Sequence, residues 1–314
     1  MRSRAAEVAF WAALGACFFL LPERLPLMGQ ILVMGLFAVS LDLALGHAGI
    51  LSIGHAAFFG VGAYTAGLLA KHGWSDALSG LVAAMAVCTV LGHALGHLVV
   101  RGTDLARLMV TLGLCMLLAE AANRLPGLTG GSDGLQGIAM APLFGRFDFD
   151  LYGRTAFVYS FCVVLAVFLG VRRIVRSPFG LVLRGIRDNP ARMRAIGSPV
   201  AARLRTAYAL SAGIAGISGA LLAQTTQFVG IESIGFERSA EVLIVLVLGG
   251  TGRLYGGLVG ALVYMSLHDA LAGIDPAYWM AGLGLFLIAA ALMGRGGILG
   301  ALTHLARRAR RERP

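Results

Sequence analysis

Long apolar runs separated by short polar breaks dominate this chain, and most runs approach the roughly 20 residues that a helix needs to cross a hydrocarbon layer. They lie at about 6–21, 28–45, 49–70, 77–100, 106–122, 153–171, 207–228, 240–252, 256–271 and 277–293. The pattern predicts an all-α, polytopic helical bundle of about ten transmembrane segments, some of them broken.

One polar interruption carries helical signals of its own: RRIVRSPFGLVLRGIRDNPARMRAIGSPVAARLR, from Arg172 to Arg205. Ser177 followed by Pro178 reads as an N-cap and first helical residue. Phe179, Val182, Leu183 and Ile186 then follow the i, i+3, i+4, i+7 rule, so this helix turns an apolar stripe toward something. Asn189 and Pro190 repeat the start signal, and Gly197 supplies a stop. Helices this short are marginal in water, so they must be held by packing under the bundle or by a partner.

Charge then gives the bundle an orientation. The interruption holds nine arginines against one acid, Asp188, which places it in the cytoplasm by the positive-inside rule. With 172–206 inside, Arg2, Arg4, Arg101, Arg107, Arg253 and the run Arg307, Arg308, Arg310, Arg311 and Arg313 of the 294–314 tail also fall inside. The outward loops, including 123–152, carry few basic residues, and both termini come out cytoplasmic. The N-terminal stretch reads as an uncleaved first span, with a cleaved signal peptide as the alternative.

Composition narrows the class. The chain is 58% hydrophobic and 13% charged, with 44 glycines in 314 residues and a mean hydropathy of +0.80, outside the range of soluble domains. The net charge of +10 sits at helix ends and loops, as topology selection requires, so it argues against nucleic acid and for the bilayer as partner. Cys17, Cys88, Cys115 and Cys162 lack metal or redox spacing and read as small buried hydrophobes. Lys71 is the only lysine and has no phosphate-loop context. No catalytic motif appears, so an enzyme is not expected and no cofactor or metal site is assigned to this chain.

Two glycine-rich segments interrupt the spans. In LGHAGILSIGHAAFFGVGAYTAGLLA, residues 45–70, glycines alternate with His47, Ser52 and His55 at membrane depth. Such a segment is either a helix packed through small residues or a broken helix lining a pathway. If the helix is continuous, His47 and His55 lie roughly on one face, and satisfied histidines are the plainer view of them. LGGTGRLYGGLVGALVY, residues 248–264, breaks a short span in the other half, and its alternative reading is close packing through Gly256 and Gly260. The pathway candidates are Gly49, Ser52, Gly54, His55, Phe58, Gly62, Tyr64, Gly249, Gly250 and Gly252. Asp42, Glu120, Glu241, His268 and Asp269 are further candidates, because ionisable groups at membrane depth are costly.

Taken together, GHAGILSIGHAAFFGVGAY, the outer TGGSDGL, SPFGLVLRGIRDNPARMRAIG, AYALSAGIAGISGALLA and GGTGRLYGGLVGA closely resemble the permease subunits of branched-chain amino acid ABC importers of the LivM type. The resemblance runs from about residue 28 to 295 and implies a single permease domain over 1–314 in a bacterial inner membrane. It implies a heterodimer with a second, related permease, two ATPase subunits that use ATP and Mg, and a periplasmic binding protein. The segment with Phe179, Arg184, Arg187, Asp188, Asn189, Pro190, Arg192 and Gly197 looks like the coupling loop that seats on an ATPase. Its ARMRAIG lacks the Glu-Ala-Ala that many such permeases carry there. Thr129, Gly130, Gly131, Ser132 and Asp133 become the candidate periplasmic docking or gating surface, against the plainer reading of a flexible connector. Urea, short amides and other small solutes are alternative cargo, and a self-sufficient channel or secondary transporter is the alternative of another class.

Overall fold

The computed structural model describes residues 4–143, 145–150, 152–274, 281–282, 284–286, 288 and 297–300. Within them lie α1 (Arg4–Leu20), α2 (Leu25–Asp42), α3 (Ala56–Lys71), α4 (Ala77–Val99), α5 (Asp104–Asn123), α6 (Pro126–Thr129), α7 (Arg154–Arg176), α8 (Pro178–Asp188), α9 (Pro190–Ala195), α10 (Val200–Thr226), α11 (Phe236–Gly249) and α12 (Leu254–Ile274). Six helical stretches are long and apolar enough to cross a membrane, and α1 and α3 are shorter apolar helices. The protein is therefore a multi-pass helical membrane protein. Most of the expected span at 277–293, and the tail beyond residue 300, lie outside the described residues.

α2 and α10 form the centre. Most of each is buried, whereas α4, α5 and α7 leave much of their length on the surface. Because lipid tails are as apolar as leucine, burying apolar area cannot by itself hold helices together here; close van der Waals contact and hydrogen bonds must. The sequence supplies both. Ser211 and Ser218 are seven residues apart, hence on one face of α10, and each donates a hydrogen bond of 2.6 Å to a carbonyl of α2, those of Ser40 and Val33. On α10, Gly216 and Gly219 meet α3 where only backbone fits: a Cβ on Gly62 would run into Gly216, and one on Gly219 into the Phe59 carbonyl.

The bundle has two chemically different ends. At one end Glu7 near the start of α1 pairs with Arg172 at 2.6 Å, and arginines of the α4–α5 turn, α9 and α10 line one cleft. At the other, Arg24 approaches Asp269 to 3.8 Å, and Gln224 of α10 joins Tyr159 of α7 (2.7 Å) and the Ala77 carbonyl of α4 (2.8 Å). Among the described residues, the α4–α5 turn, the basic loop and the start of α1 thus share one end of the bundle.

The 123–152 segment is pinned where the sequence also allowed a free connector. Leu135 and Val229 exchange backbone hydrogen bonds of 2.8 and 3.2 Å, and Leu135 and Ile138 are buried, packing beside Gly67 near the end of α3.

Candidate functional site: a broken helix and a glycine hairpin tied to a basic loop

The first glycine-rich segment contains a true break. α2 ends in one wide π-type turn over Leu43–His47, in which the Ala48 N–H reaches five residues back to the Leu43 carbonyl. Such turns recur at functional sites. Gly49 then takes a left-handed φ of +71°, residues 48–55 run without regular structure, and α3 begins at Ala56. Irregular backbone at this depth is tolerated only when its polar groups are enclosed by protein or water. Here helices on several sides satisfy them. The Ile53 N–H donates to Thr111 of α5 at 3.3 Å and the Ala56 N–H to Ser239 of α11 at 2.9 Å. Gly54 sits so close to Thr111 and Cys115 that a side chain could not be placed there.

Inside this break lies a buried polar cluster. His55 Nε2 is 3.0 Å from the Ser40 hydroxyl and 3.3 Å from that of Ser211, and the ring stacks on Phe37, with centroids 5.8 Å apart. Nδ1 of His55 and the hydroxyl of Ser52 are buried there without a protein partner, and so, more than two turns further along α3, is the hydroxyl of Tyr64. Buried polar groups nearly always find partners, so unsatisfied ones clustered at a helix break mark a place where a water or a solute group can bind, or where the packing rearranges. His47 and His55 do not share a helical face, because the chain between them is not helical. His47 instead lies at 3.1 Å from the Asp42 carbonyl and 3.5 Å from its carboxylate.

The second glycine-rich segment folds differently. α11 and α12 form a hairpin whose faces touch through glycine: a Cβ on Gly249 would strike the Gly256 carbonyl, and one on Gly260 the Val245 carbonyl. The close-packing reading of Gly256 and Gly260 therefore holds. Gly250 and Gly252, with φ of 108° and 73°, make the turn between the helices.

The two segments meet. The Gly252 N–H donates a 2.6 Å hydrogen bond to the Asp42 carboxylate, joining the α11–α12 turn to the end of α2 across 210 residues of sequence. Arg187, from the basic loop, donates to the Gly46 carbonyl in the π turn, and its side chain packs on Gly49 and near Gly252. Asp42, Gly46, Gly49, Arg187 and Gly252 thus form one junction. Of the acidic residues singled out from sequence, Asp42 is buried. Glu120 and Glu241 pair along their own helices with Arg124 and Arg238, and Asp269 lies near Arg24.

The basic loop folds as expected, with one correction. α8 and α9 begin at Pro178 and Pro190, and Asn189 caps α9 through a 2.9 Å bond from the Arg192 N–H. Ser177 occupies the N-cap position of α8 but makes no side-chain cap; its hydroxyl donates instead to the Ile174 carbonyl at 2.6 Å, satisfying the end of α7. The apolar stripe is used within the chain. Leu183 and Ile186 are fully buried, Phe179 and Val182 are half-buried, and Arg203 stacks over the Phe179 ring at 5.9 Å. Arg184 donates to the Val175 carbonyl at 3.1 Å. What remains outward is a face containing Leu181, Asp188, Arg192 and Ile196, ended by Gly197 at φ +83°.

The remaining candidates divide by exposure. Ser52, Gly54, His55, Phe58, Gly62, Tyr64, Gly249 and Gly250 are buried, and Gly49 and Gly252 half-buried. In the outer loop, Thr129 and Gly131 are buried, the Thr129 hydroxyl donating to the Ala122 and Leu125 carbonyls at 2.5 and 2.9 Å. Ser132 and Asp133 are exposed beside the left-handed Gly130. Sequence reasoning missed Ser40 and Ser211; the signal available was serine at two-turn spacing within an apolar helix.

Residues 24–291 match the family described as the branched-chain amino acid transport system permease component. This chain belongs to that family. It is 30% identical to the high-affinity branched-chain amino acid transport system permease protein LivM of Salmonella typhimurium, over 84% of this chain and 67% of that protein, and equally to LivM of Escherichia coli. A stretch covering 38% of the chain is 26% identical to a probable branched-chain amino acid transport permease protein, LivH, of Methanocaldococcus jannaschii. No solved structure matches the chain. The match spans both glycine-rich segments and the basic loop, so the junction lies wholly inside the permease.

Proposed function

We propose that this permease forms, with a second related permease subunit, the translocation pathway of an ABC importer for branched-chain amino acids in a bacterial inner membrane. Solute arrives from a periplasmic binding protein at the end bearing Ser132 and Asp133. Two separate ATPase subunits bind the outward face of α8 and α9 at the cytoplasmic end, and about ten spans leave both termini on that side. The reading is carried by the junction, where one arginine of the basic loop touches both the helix break after α2 and the turn of the α11–α12 hairpin. A displacement of α8 is thereby passed to α2 through Gly46 and to the α11–α12 turn beside it.

A switch between outward- and inward-open states requires contacts that differ between them. The buried hydroxyl of Ser52 and Nδ1 of His55, which lack partners, supply groups that water or the solute can satisfy when the break opens. The surrounding residues are small and apolar, which suits a short aliphatic side chain. The Ile53 and Ala56 amides, just before and at the start of α3 and held here by Thr111 and Ser239, suit its carboxylate once the break opens.

Reconstitution of the full importer tests the proposal. Deleting 179–197 is expected to abolish both ATPase binding and leucine uptake. Arg187→Gln is expected to keep the ATPase bound, since the Arg187 guanidinium is engaged by the Gly46 carbonyl and Asp188 of its own chain, while uptake drops at least about tenfold, as for loss of one part-buried charge-assisted hydrogen bond. Uptake of leucine by this chain alone in liposomes without ATP would overturn the reading.

A further inference from the structure

At the arginine-rich end, the α4–α5 turn and the start of α10 border a cleft of about 720 Å³ that lies outside the junction and meets α9 at Pro190 and Arg194. Arg101, Arg107, Arg194 and Arg205 line it, together with Thr103 and Ser198. They come from three separate stretches of chain. Arg107 is held at 2.9 Å by Asp104 one turn away, and its Nε is buried without a partner. Arg205 leans on His97 at about 2.9 Å. Among the described residues Asp104 is the one acid paired with any of the four. Topology selection accounts for arginines at this end, but not for their convergence on one concave site with so little compensating charge. The ends of α4 and α5 that carry the cleft also expose Leu98, Leu105 and Met109, each more than half accessible.

We propose that this cleft binds the phosphate headgroup of an anionic phospholipid, with the acyl chains lying along the apolar surface at Leu98, Leu105 and Met109. Guanidinium groups match phosphate oxygens in pairs, and basic pockets between helix ends on the inner side of a membrane are favoured for such headgroups. The adjoining apolar surface selects a lipid over a free anion, which would use only the arginines. Because Arg194 belongs to α9 and Pro190 also lines the cleft, a bound headgroup braces the short helices beside the junction.

The test uses the purified full-length chain in nanodiscs of phosphatidylcholine with or without phosphatidylglycerol, reading both retained lipid by native mass spectrometry and phenylglyoxal modification of individual arginines. Phosphatidylglycerol is expected to protect Arg107 and Arg205, and phosphatidylcholine to leave them reactive. The double substitution R107Q/R205Q is expected to weaken phosphatidylglycerol retention by about thirtyfold, corresponding to about 1 kcal/mol for each arginine removed. R124Q, at the opposite end, should leave retention unchanged. Should the double variant not fold, the wild-type labelling decides alone. Equal protection by phosphatidylcholine, or by sodium phosphate in phosphatidylcholine discs, overturns the lipid assignment, the latter in favour of a free-anion site. Unchanged retention in a folded double variant also overturns it. So does protection that appears only when an ATPase subunit is added, which would make the cleft a protein interface.

Discussion

The two glycine-rich segments look alike on paper and do opposite things in the fold. Residues 45–70 hold a helix break: a π turn, an irregular stretch and polar groups without partners. Residues 248–264 hold a tight hairpin in which glycines let two helices touch and then reverse the chain. A glycine admits either outcome because it lacks both the side chain that keeps helices apart and the bias against positive φ. What separates them is the neighbourhood. The first segment is flanked by Ser40, Ser52, His55, Thr111, Ser211 and Ser239, whose polar groups lie in or around the break; the second is flanked by leucine and valine. The break, then, is where polar groups lie without partners, and the hairpin, packed closely enough to serve as a lever, is joined to it at Asp42 and Gly252.

That contrast can be broken most sharply at the helix contacts. Gly62→Leu drives a side chain into the backbone of Gly216, and is expected to cost about 3 kcal/mol or more of stability in detergent unfolding. Gly260→Ala in the hairpin should cost about 1–3 kcal/mol, while Gly29→Ala, with open space around it, should be neutral or slightly stabilising. Tolerance of Gly260→Ala would mean that the hairpin is loose and the distinction mistaken.

The link between the segments comes next. Asp42→Ala leaves the part-buried Gly252 N–H without its acceptor and should destabilise by about 1–3 kcal/mol. Asp42→Asn keeps an acceptor and should recover most of that loss. If the two variants melt together, the Asp42–Gly252 bond does not join lever to break.

Within the break, Ser40→Ala and Ser211→Ala should each cost about 1 kcal/mol. Because both hydroxyls face His55 Nε2, the double variant should cost measurably more or less than the sum. Strict additivity would show that the three groups do not act as one cluster.

The smallest effect lies away from both segments, at the outer end of α4. Asp76 accepts a hydrogen bond from the Ser79 N–H, and the Ser79 backbone and hydroxyl hold its carboxyl below the usual carboxylate range. A depressed folded pKa gives stability that is present above the unfolded value of about 4 and lost as pH falls through the folded value. The cap is therefore worth a few tenths of a kcal/mol up to about 1 at neutral pH, and Asp76→Asn should flatten the acid limb of the stability curve. An unchanged limb would remove Asp76 as its source.

The helix layout, the arginine-rich end and the paired short helices were legible in the sequence because each is a local pattern: apolar run length, charge at helix ends, proline after a capping residue. Asn189 capped as its type predicts, whereas Ser177 did not, since the carbonyls left open at the end of α7 compete for its hydroxyl. Asp42 could be suspected from the cost of burying a carboxylate, but its partner could not, because nothing in either stretch refers to the other. Ser40 and Ser211 looked like ordinary small residues of apolar helices, and only their meeting at His55 gives them a role.

By itself the sequence determined that this is a multi-pass helical permease, which loops share an end, and where the chain can break, since run length, charge and backbone permissiveness act over a few residues. Only the tertiary structure decided which glycine run is the break and which the hairpin, that the apolar stripe of α8 is buried in its own bundle, and that Arg187 reaches the junction. Those outcomes depend on contacts between residues as far as 210 positions apart, set by how all the helices pack at once.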